Sequence, residues 1–279
     1  MKNKLVRPFL QWAGGKRYLL PKIRDMLPRF TIYHEPFLGA GAILLSLQPK
    51  KAVVNDLNKE LINVYAVIKE DVEKLIKELV KHENSSDYFY KLRSLDRDAS
   101  KYAKLSKLKK ASRTIFLNKT CFNGLFRVNK KGQFNTPFGR HKNPDFINLE
   151  VLRAVSKYLN NNEIHILNRD YTKSSKYIKK GHFVYFDPPY DPVSDTSSFT
   201  SYNLKGFGKD DQIKLKRYCD KLNKKGVKFI QSNSATPFIK ELYQDYNIKI
   251  VNVPRSINCI ASKRGKIEEV LIYNYDVRR

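Results

Sequence analysis

The apolar run Phe183-Val184-Tyr185-Phe186 stops at Asp187-Pro188-Pro189-Tyr190. A buried strand therefore delivers a carboxylate, two rigid residues and an aromatic ring at its end. Proline fixes φ and has no backbone donor. The residue before a proline is driven to extended geometry. Pro188 and Pro189 thus hold the Asp187 carboxylate, a proline carbonyl and the Tyr190 ring at set offsets. Two acceptors beside a flat ring suit a planar amine, such as the exocyclic NH2 of a base. Taken alone, the four residues also read as a strand followed by a Pro-rich turn.

A second constraint lies near the N-terminus. Glu35-Pro36-Phe37-Leu38-Gly39-Ala40-Gly41 precedes the apolar stretch Ala42–Leu47, and Val53-Val54-Asn55-Asp56 follows. This reads as a strand end, a tight turn at Gly39 and Gly41, a helix, and a second strand ending in an acid. Glycines admit positive φ and close backbone approach. A Gly turn with an acid ending the next strand is how α/β folds hold an adenosine moiety, the carboxylate accepting from ribose hydroxyls. There is no third glycine in the dinucleotide register and no Gly-Lys-Ser/Thr loop, so the pattern predicts a cofactor with a ribose and no phosphates. Gln11-Trp12-Ala13-Gly14-Gly15-Lys16 comes just before a helical stretch at Tyr18–Met26. Trp12, the sole tryptophan, can wall a cofactor pocket and Lys16 can neutralise a carboxylate. A packing tryptophan and a solvated lysine are the plainer alternative.

Charge narrows the partners. The 279 residues carry 54 Lys+Arg against 27 Asp+Glu, a formal net charge of +27. Such an excess favours a polyanion through steering and counterion release. A Lys- and Asn-rich composition also arises from genome bias. From Lys101 to Lys142 there are twelve Lys/Arg and no acid, interleaved with Tyr102, Phe116, Phe122, Phe126, Phe134 and Phe138. Its first half has helical spacing. Its second half reads as a loop and hairpin, with turns at Asn123-Gly124 and Lys130-Lys131-Gly132. Basic groups there can contact phosphates while an arginine reads a base edge. Cys121, Cys219 and Cys259 lie too far apart for a local metal cluster, so no metal is expected. They fit a reducing cytoplasm. No apolar leader or membrane span is read in the sequence.

These pieces together resemble the Dam-type DNA adenine-N6 methyltransferases, in the arrangement where Phe-x-Gly-x-Gly precedes the recognition region and Asp-Pro-Pro-Tyr follows it. The likeness runs nearly end to end: Trp-Ala-Gly-Gly-Lys at 12–16, the segment from Glu35 to Gly41, Asn-Asp-Leu-Asn at 55–58, Phe-Asn-Gly-Leu-Phe-Arg-Val-Asn at 122–129, Gly-Gln-Phe-Asn-Thr-Pro-Phe-Gly at 132–139, and Tyr-Phe-Asp-Pro-Pro-Tyr at 185–190. Ser197–Tyr202 and Arg264–Glu269 extend it. The resemblance implies that Trp12, Lys16, Phe37, Gly39, Gly41, Asp56, Asp170 and Asp187 line an S-adenosylmethionine site, with Asp170 at its adenine. It implies that Asp187, Pro188, Pro189 and Tyr190 are catalytic. Phe122, Leu125, Arg127 and Pro137 match positions that intercalate in or read double-stranded DNA around GATC. Asn123, Asn129, Lys130, Asn135 and Arg140 fall in the same region and are assigned to DNA contact. GATC-specific members often carry lysine just before the Trp, at the first base pair. Gln11 stands there, so the first base is the open position.

The expected fold is α/β: a doubly wound, mainly parallel, Rossmann-like sheet from residues 1–57 and 164–279, with an inserted, mostly helical target-recognition domain at 58–163. Strands at Asn247–Val253 and Ile267–Tyr275 are expected to pair antiparallel at one edge. In the expected chemistry, Asp187 and the Pro188 carbonyl localise the lone pair of an otherwise poor amine nucleophile. No cysteine lies near the motif, against cytosine-C5 chemistry, which needs a thiolate. The target base would flip out of the duplex, and the loop Asp191–Asp211 would close over it. Two other readings stand beside this one: an RNA adenine methyltransferase, and a catalytically idle DNA-binding regulator. A restriction endonuclease acting on the same site is a possible partner.

Overall fold

The computed structural model describes residues 2–12, 16, 18–174, 178–193, 207–254 and 266–277. The expectations for Ala13-Gly14-Gly15, for most of the loop Asp191–Asp211 including Ser197–Tyr202, and for Arg264-Gly265 lie outside them.

Seven strands form one sheet: β1 (Tyr33–Glu35), β2 (Lys51–Asn55), β3 (Glu163–Leu167), β4 (Phe183–Phe186), β5 (Lys228–Ser234), β6 (Asn247–Pro254) and β7 (Lys266–Tyr273). Their order is β3-β2-β1-β4-β5-β7-β6. The first five run parallel. β7 is antiparallel to both neighbours, with Ile230 opposite Tyr273 and Ile250 opposite Val270. The expected antiparallel edge is thus present. β1 and β4 are adjacent although 148 residues separate His34 from its neighbour His182, so the chain order reverses between them. In such sheets ligands bind at the carboxyl ends of the strands, at the reversal.

Alternation along β4 explains the two layers. Phe183 and Tyr185 point into one core with Tyr33, Ala52, Val54 and Leu271, and with helices α1 (Leu20–Met26), α2 (Ala42–Leu47), α3 (Lys59–Leu79) and α7 (Leu149–Asn161). Val184 and Phe186 point into the other with Phe229, Val270 and Ile272, covered by α9 (Lys209–Lys224) and α10 (Pro237–Leu242). Every side chain of the run is buried, which is why it carries no polar residue. α3 opens at Asn58, whose side chain accepts from the amides of Glu60 and Leu61. Between α3 and α7 come α4 (Ser86–Ser94), α5 (Ala99–Lys104) and α6 (Lys107–Thr120). They enclose a small aromatic core of Phe89, Phe116, Leu117, Cys121, Phe126 and Phe134, against which Trp12 packs. α8 (Tyr171–Ser174) is a single turn after β3.

Sheet and flank also share a histidine pair. His34 Nε2 lies 2.9 Å from His182 Nδ1 in a buried setting. One nitrogen must donate and the other accept, so the contact fails when both rings are fully protonated. Burial, and then the neighbouring His182, depresses the His34 pKa to about 3. In the unfolded chain a histidine titrates near about 6.5. Between these values the unfolded chain binds the extra proton, so stability is full above the upper value and falls as pH drops toward the lower. The urea midpoint of the wild type should decline on acidification through this window. His34→Gln should flatten that decline, and parallel pH profiles for the two proteins would refute the assignment.

Candidate active site

Three parallel strands bring acids to one edge of the sheet. β1 ends at Glu35, β2 is followed by Asp56, and β4 by Asp187. Asp187 Oδ1 sits 2.8 Å from Lys16 Nζ, and both side chains are largely buried. Ser232 Oγ donates to the same oxygen at 2.9 Å. Burial pushes the Asp187 carboxyl up, while the Lys16 charge and the hydrogen bonds from Lys16 and Ser232 oppose the rise. Lys16 Nζ also lies 4.6 Å from the centre of the Tyr190 ring. Tyr190 donates its hydroxyl to Glu269 on β7, at 3.0 Å.

The turn after Asp187 is fixed from behind. Gln212, fully buried on α9, donates to the Pro189 carbonyl at 2.9 Å and accepts from Asn233 at 3.1 Å. Asn233 accepts from the Asp191 amide at 3.0 Å. Thr236 donates to the Asp191 carboxylate at 2.6 Å, and Ser234 donates to the Asp191 carbonyl. The Pro189 carbonyl is thus held from the α9 side. Sequence reasoning missed Gln212, Ser232, Asn233 and Glu269.

The Gly turn sits beside this group. Gly39 and Gly41 have φ of +50° and +66°. A Cβ on Gly39 would lie 3.2 Å from the Trp12 indole, and one on Gly41 would lie 2.5 Å from the Tyr65 hydroxyl. The two Asp56 oxygens accept from the amides of Gly39 and Asn58, each at 2.9 Å. Asp170 takes both Thr172 donors on Oδ1. Burial raises its pKa, but those bonds and the Lys214 charge outweigh it and leave the value lowered. Phe37 packs against Tyr171 and Phe186, at 5.1 and 6.5 Å between ring centres. Asn55, also unassigned by the sequence, clips the loops together by donating to the carbonyls of Pro36 and Arg169. Among the described residues, no cluster of His, Cys, Asp and Glu could hold a metal ion. No described helix is long and apolar enough to cross a membrane.

The basic segment splits into surface and core. Phe122, Asn123, Arg127, Lys130, Pro137 and Arg140 are exposed, and Leu125 and Asn135 are half-buried. Phe122–Gly124 form a 3-10 turn, with positive φ at Asn123 and Gly124. Residues 127–135 form a hairpin, in which Asn129 N donates to Gln133 O at 2.9 Å and Asn135 N to Arg127 O at 3.0 Å. Asn135 Oδ1 accepts from Arg127 Nε at 2.9 Å, orienting the guanidinium. Asn129 turns inward: its Oδ1 takes the amides of Lys131 and Gln133, and its Nδ2 donates to the Gln133 side chain. Gln11 lies against Gly124. Arg113, one of the twelve basic residues, is not on the surface. It is buried 2.9 Å from Asp96 and donates to the carbonyls of Leu92 and Arg93.

Comparison with known proteins gives a single answer. A model of the D12 class N6 adenine-specific DNA methyltransferases matches residues 12–257. The chain is 46% identical to the Type II methyltransferase M1.LlaDCHI of Lactococcus lactis subsp. cremoris, over 98% of each chain. It is 43% identical to the Type II methyltransferase M.MjaIII of Methanocaldococcus jannaschii, over 97% of this chain and 99% of that one. Identity to the DNA adenine methylase of Escherichia coli K12 is 32%, over 95% and 94%.

Asp96 Oδ2 also accepts from Phe134 N, at 2.8 Å. Asp96→Ala should therefore strand the buried Arg113 charge and release the hairpin. Loss of one partner of a buried pair costs about 3–5 kcal/mol. Urea unfolding should register a loss of that size, whereas Lys101→Ala, at an exposed pair with Asp98, should leave the midpoint in place.

Proposed function

Because the chain belongs to the D12 class of N6 adenine-specific DNA methyltransferases, we propose that it moves the methyl group of S-adenosylmethionine to N6 of an adenine flipped out of duplex DNA, within GATC. Adenine-specific DNA methylation is the activity of the family. Donor, flipping and target sequence are this proposal. The observation that carries it is the ionisable Asp187, buried where β4 ends and held between Lys16 and Ser232, beside a Gly turn bonded to Asp56.

The roles follow from what each group can accept or donate. Asp187 and the Pro188 carbonyl take the two N–H bonds of the adenine amine and draw its lone pair out of the ring plane. When bound, S-adenosylmethionine supplies an electrophilic sulfonium methyl in line with that lone pair. Trp12, Phe37, Asp56 and Asp170 hold it by ring contact and by acceptors for hydroxyl and amine. Lys16 keeps Asp187 ionised and so able to accept, and Asp187 receives the proton the product sheds. Tyr190, oriented by Glu269, stacks on the flipped base. Stacking of that kind contributes about 1–3 kcal/mol against an extrusion cost on the order of a few kcal/mol.

Residues 58–163 serve as the target-recognition domain between the two catalytic segments, 1–57 and 164–279. α3 and α7 lean on the sheet, and the surface from Phe122 to Arg140 meets DNA. Phe122 and Leu125 wedge into the stack, and Arg127 reads a guanine. The same reading takes the protein to be cytoplasmic and, with Type II methyltransferases among its relatives, to share its site with an endonuclease. Methyl incorporation into duplex DNA but not into RNA of the same sequence is the expected result, and restriction-sensitivity mapping of methylated plasmid tests GATC.

Asp187→Asn should retain cofactor and DNA binding by calorimetry and lose methyl transfer by about a hundred- to ten-thousand-fold, the range of a positioned proton acceptor. Wild-type turnover in that variant would overturn the mechanism. Arg127→Ala should relax sequence choice by about 1–3 kcal/mol at one base pair. Lys130→Ala should weaken all sites alike, since phosphate contacts carry no sequence information. Unchanged site ratios in Arg127→Ala would make Arg127 a backbone contact.

A further inference from the structure

Asn118 lies in the last turn of α6, fully buried. Its Oδ1 accepts from Gln11 N at 2.8 Å. Its Nδ2 donates to Gln11 O at 2.7 Å and to Gly124 O at 3.1 Å. A primary amide has two N–H donors, and both are used here to join segments that lie apart in sequence. One segment is the turn Phe122–Gly124. The other is the N-terminal strap that continues through Trp12 to Lys16. A second joint lies beside the first, for the Trp12 and Phe126 rings stack at 5.0 Å with 23° between planes. The backbone of Gly124 passes so close to Gln11 that any Cβ there would collide with the Gln11 side-chain amide.

Trp12 and Lys16 are four positions apart in the chain, a reach of at most about 14 Å when fully extended. Lys16 is fixed to Asp187 at its far end. Trp12 meanwhile touches the Gly39 turn. A displacement of the turn at 122–124 bears on Gln11 through Asn118 and on Trp12 through its neighbour Gln11 and the Phe126 ring.

We propose that Asn118 is a positioning residue that couples the reading of the target sequence to methyl transfer, by locking the recognition turn to the strap that carries Trp12 and Lys16. This rests on the proposed function. A correct sequence seats the turn fully and so sets Trp12 and Lys16. A wrong one leaves the turn displaced and the strap with it. Discrimination between sites then resides in the transfer rate as well as in binding.

The test compares the wild type with Asn118→Asp and Gly124→Ala on duplexes holding the mapped target or one substituted base pair. Asn118→Asp keeps size and acceptor but removes both donors. Gly124→Ala attacks the same joint from the other side. Each variant should lose about tenfold or more in the ratio of kcat between correct and substituted sites. KM on the substituted sites should stay near the wild-type value. Together the two changes should cost little more than either alone. Trp12, the only tryptophan, gives a readout free of turnover. In the wild type its emission should shift with the correct duplex more than with a substituted one, and in both variants that difference should vanish. Uniform loss of rate at every site, with the emission difference intact, would make Asn118 merely structural and overturn the proposal. Failure of the wild type to methylate any duplex would instead refute the proposed function, while the emission comparison would still judge the coupling.

Discussion

One buried ammonium holds the ends of the chain and the middle of the sheet to a common point. Lys16 belongs to the N-terminal strap, Asp187 follows the fourth strand, and Glu269 comes from the seventh. Burial pushes the carboxyls of Asp187 and Glu269 upward, and the Lys16 charge pulls both back. Without that charge, burial would push both carboxyls further upward. The electrostatic setting of the Asp187 carboxyl is therefore a property of three distant segments meeting. It cannot be built from Asp-Pro-Pro-Tyr alone. The fixed turn behind it, through Gln212 and Asn233, prevents the carboxylate from escaping the lysine by rotating the loop.

The sequence was most readable where burial is total. β4 is apolar at every position because both faces are covered, and the amphipathic spacing of α3 and α9 follows from one covered face. The Gly turn and the acid after β2 were readable because a positive φ leaves glycine as the natural residue. The site's supports were not. β5 runs through Ser232, Asn233 and Ser234, three small polar residues that do not look like strand in sequence, and all three are buried. Those polar side chains are tolerated because they face Asp187 and Asp191. Arg113 hid for the converse reason. Within a run of lysines it reads as surface, and its partner Asp96 belongs to a separate 3-10 turn. Asn129 was assigned to DNA, but Asn-Lys-Lys-Gly is also turn chemistry, in which an asparagine bonds its own backbone two residues on, as it does here.

The hairpin at 127–135 is attached to its base by the buried Phe134 ring and through its main chain. Arg93 donates to the Thr136 carbonyl and Arg97 to the Phe134 carbonyl, while Asp96 accepts from the Phe134 amide. None of these bonds depends on which side chains the hairpin displays. Its outward positions, Arg127 and Lys130 among them, are thus uncoupled from the forces that place it. Evolution can rewrite those letters one at a time without dismantling the frame. A lineage with such a scaffold can change what the hairpin displays while keeping the frame that presents it.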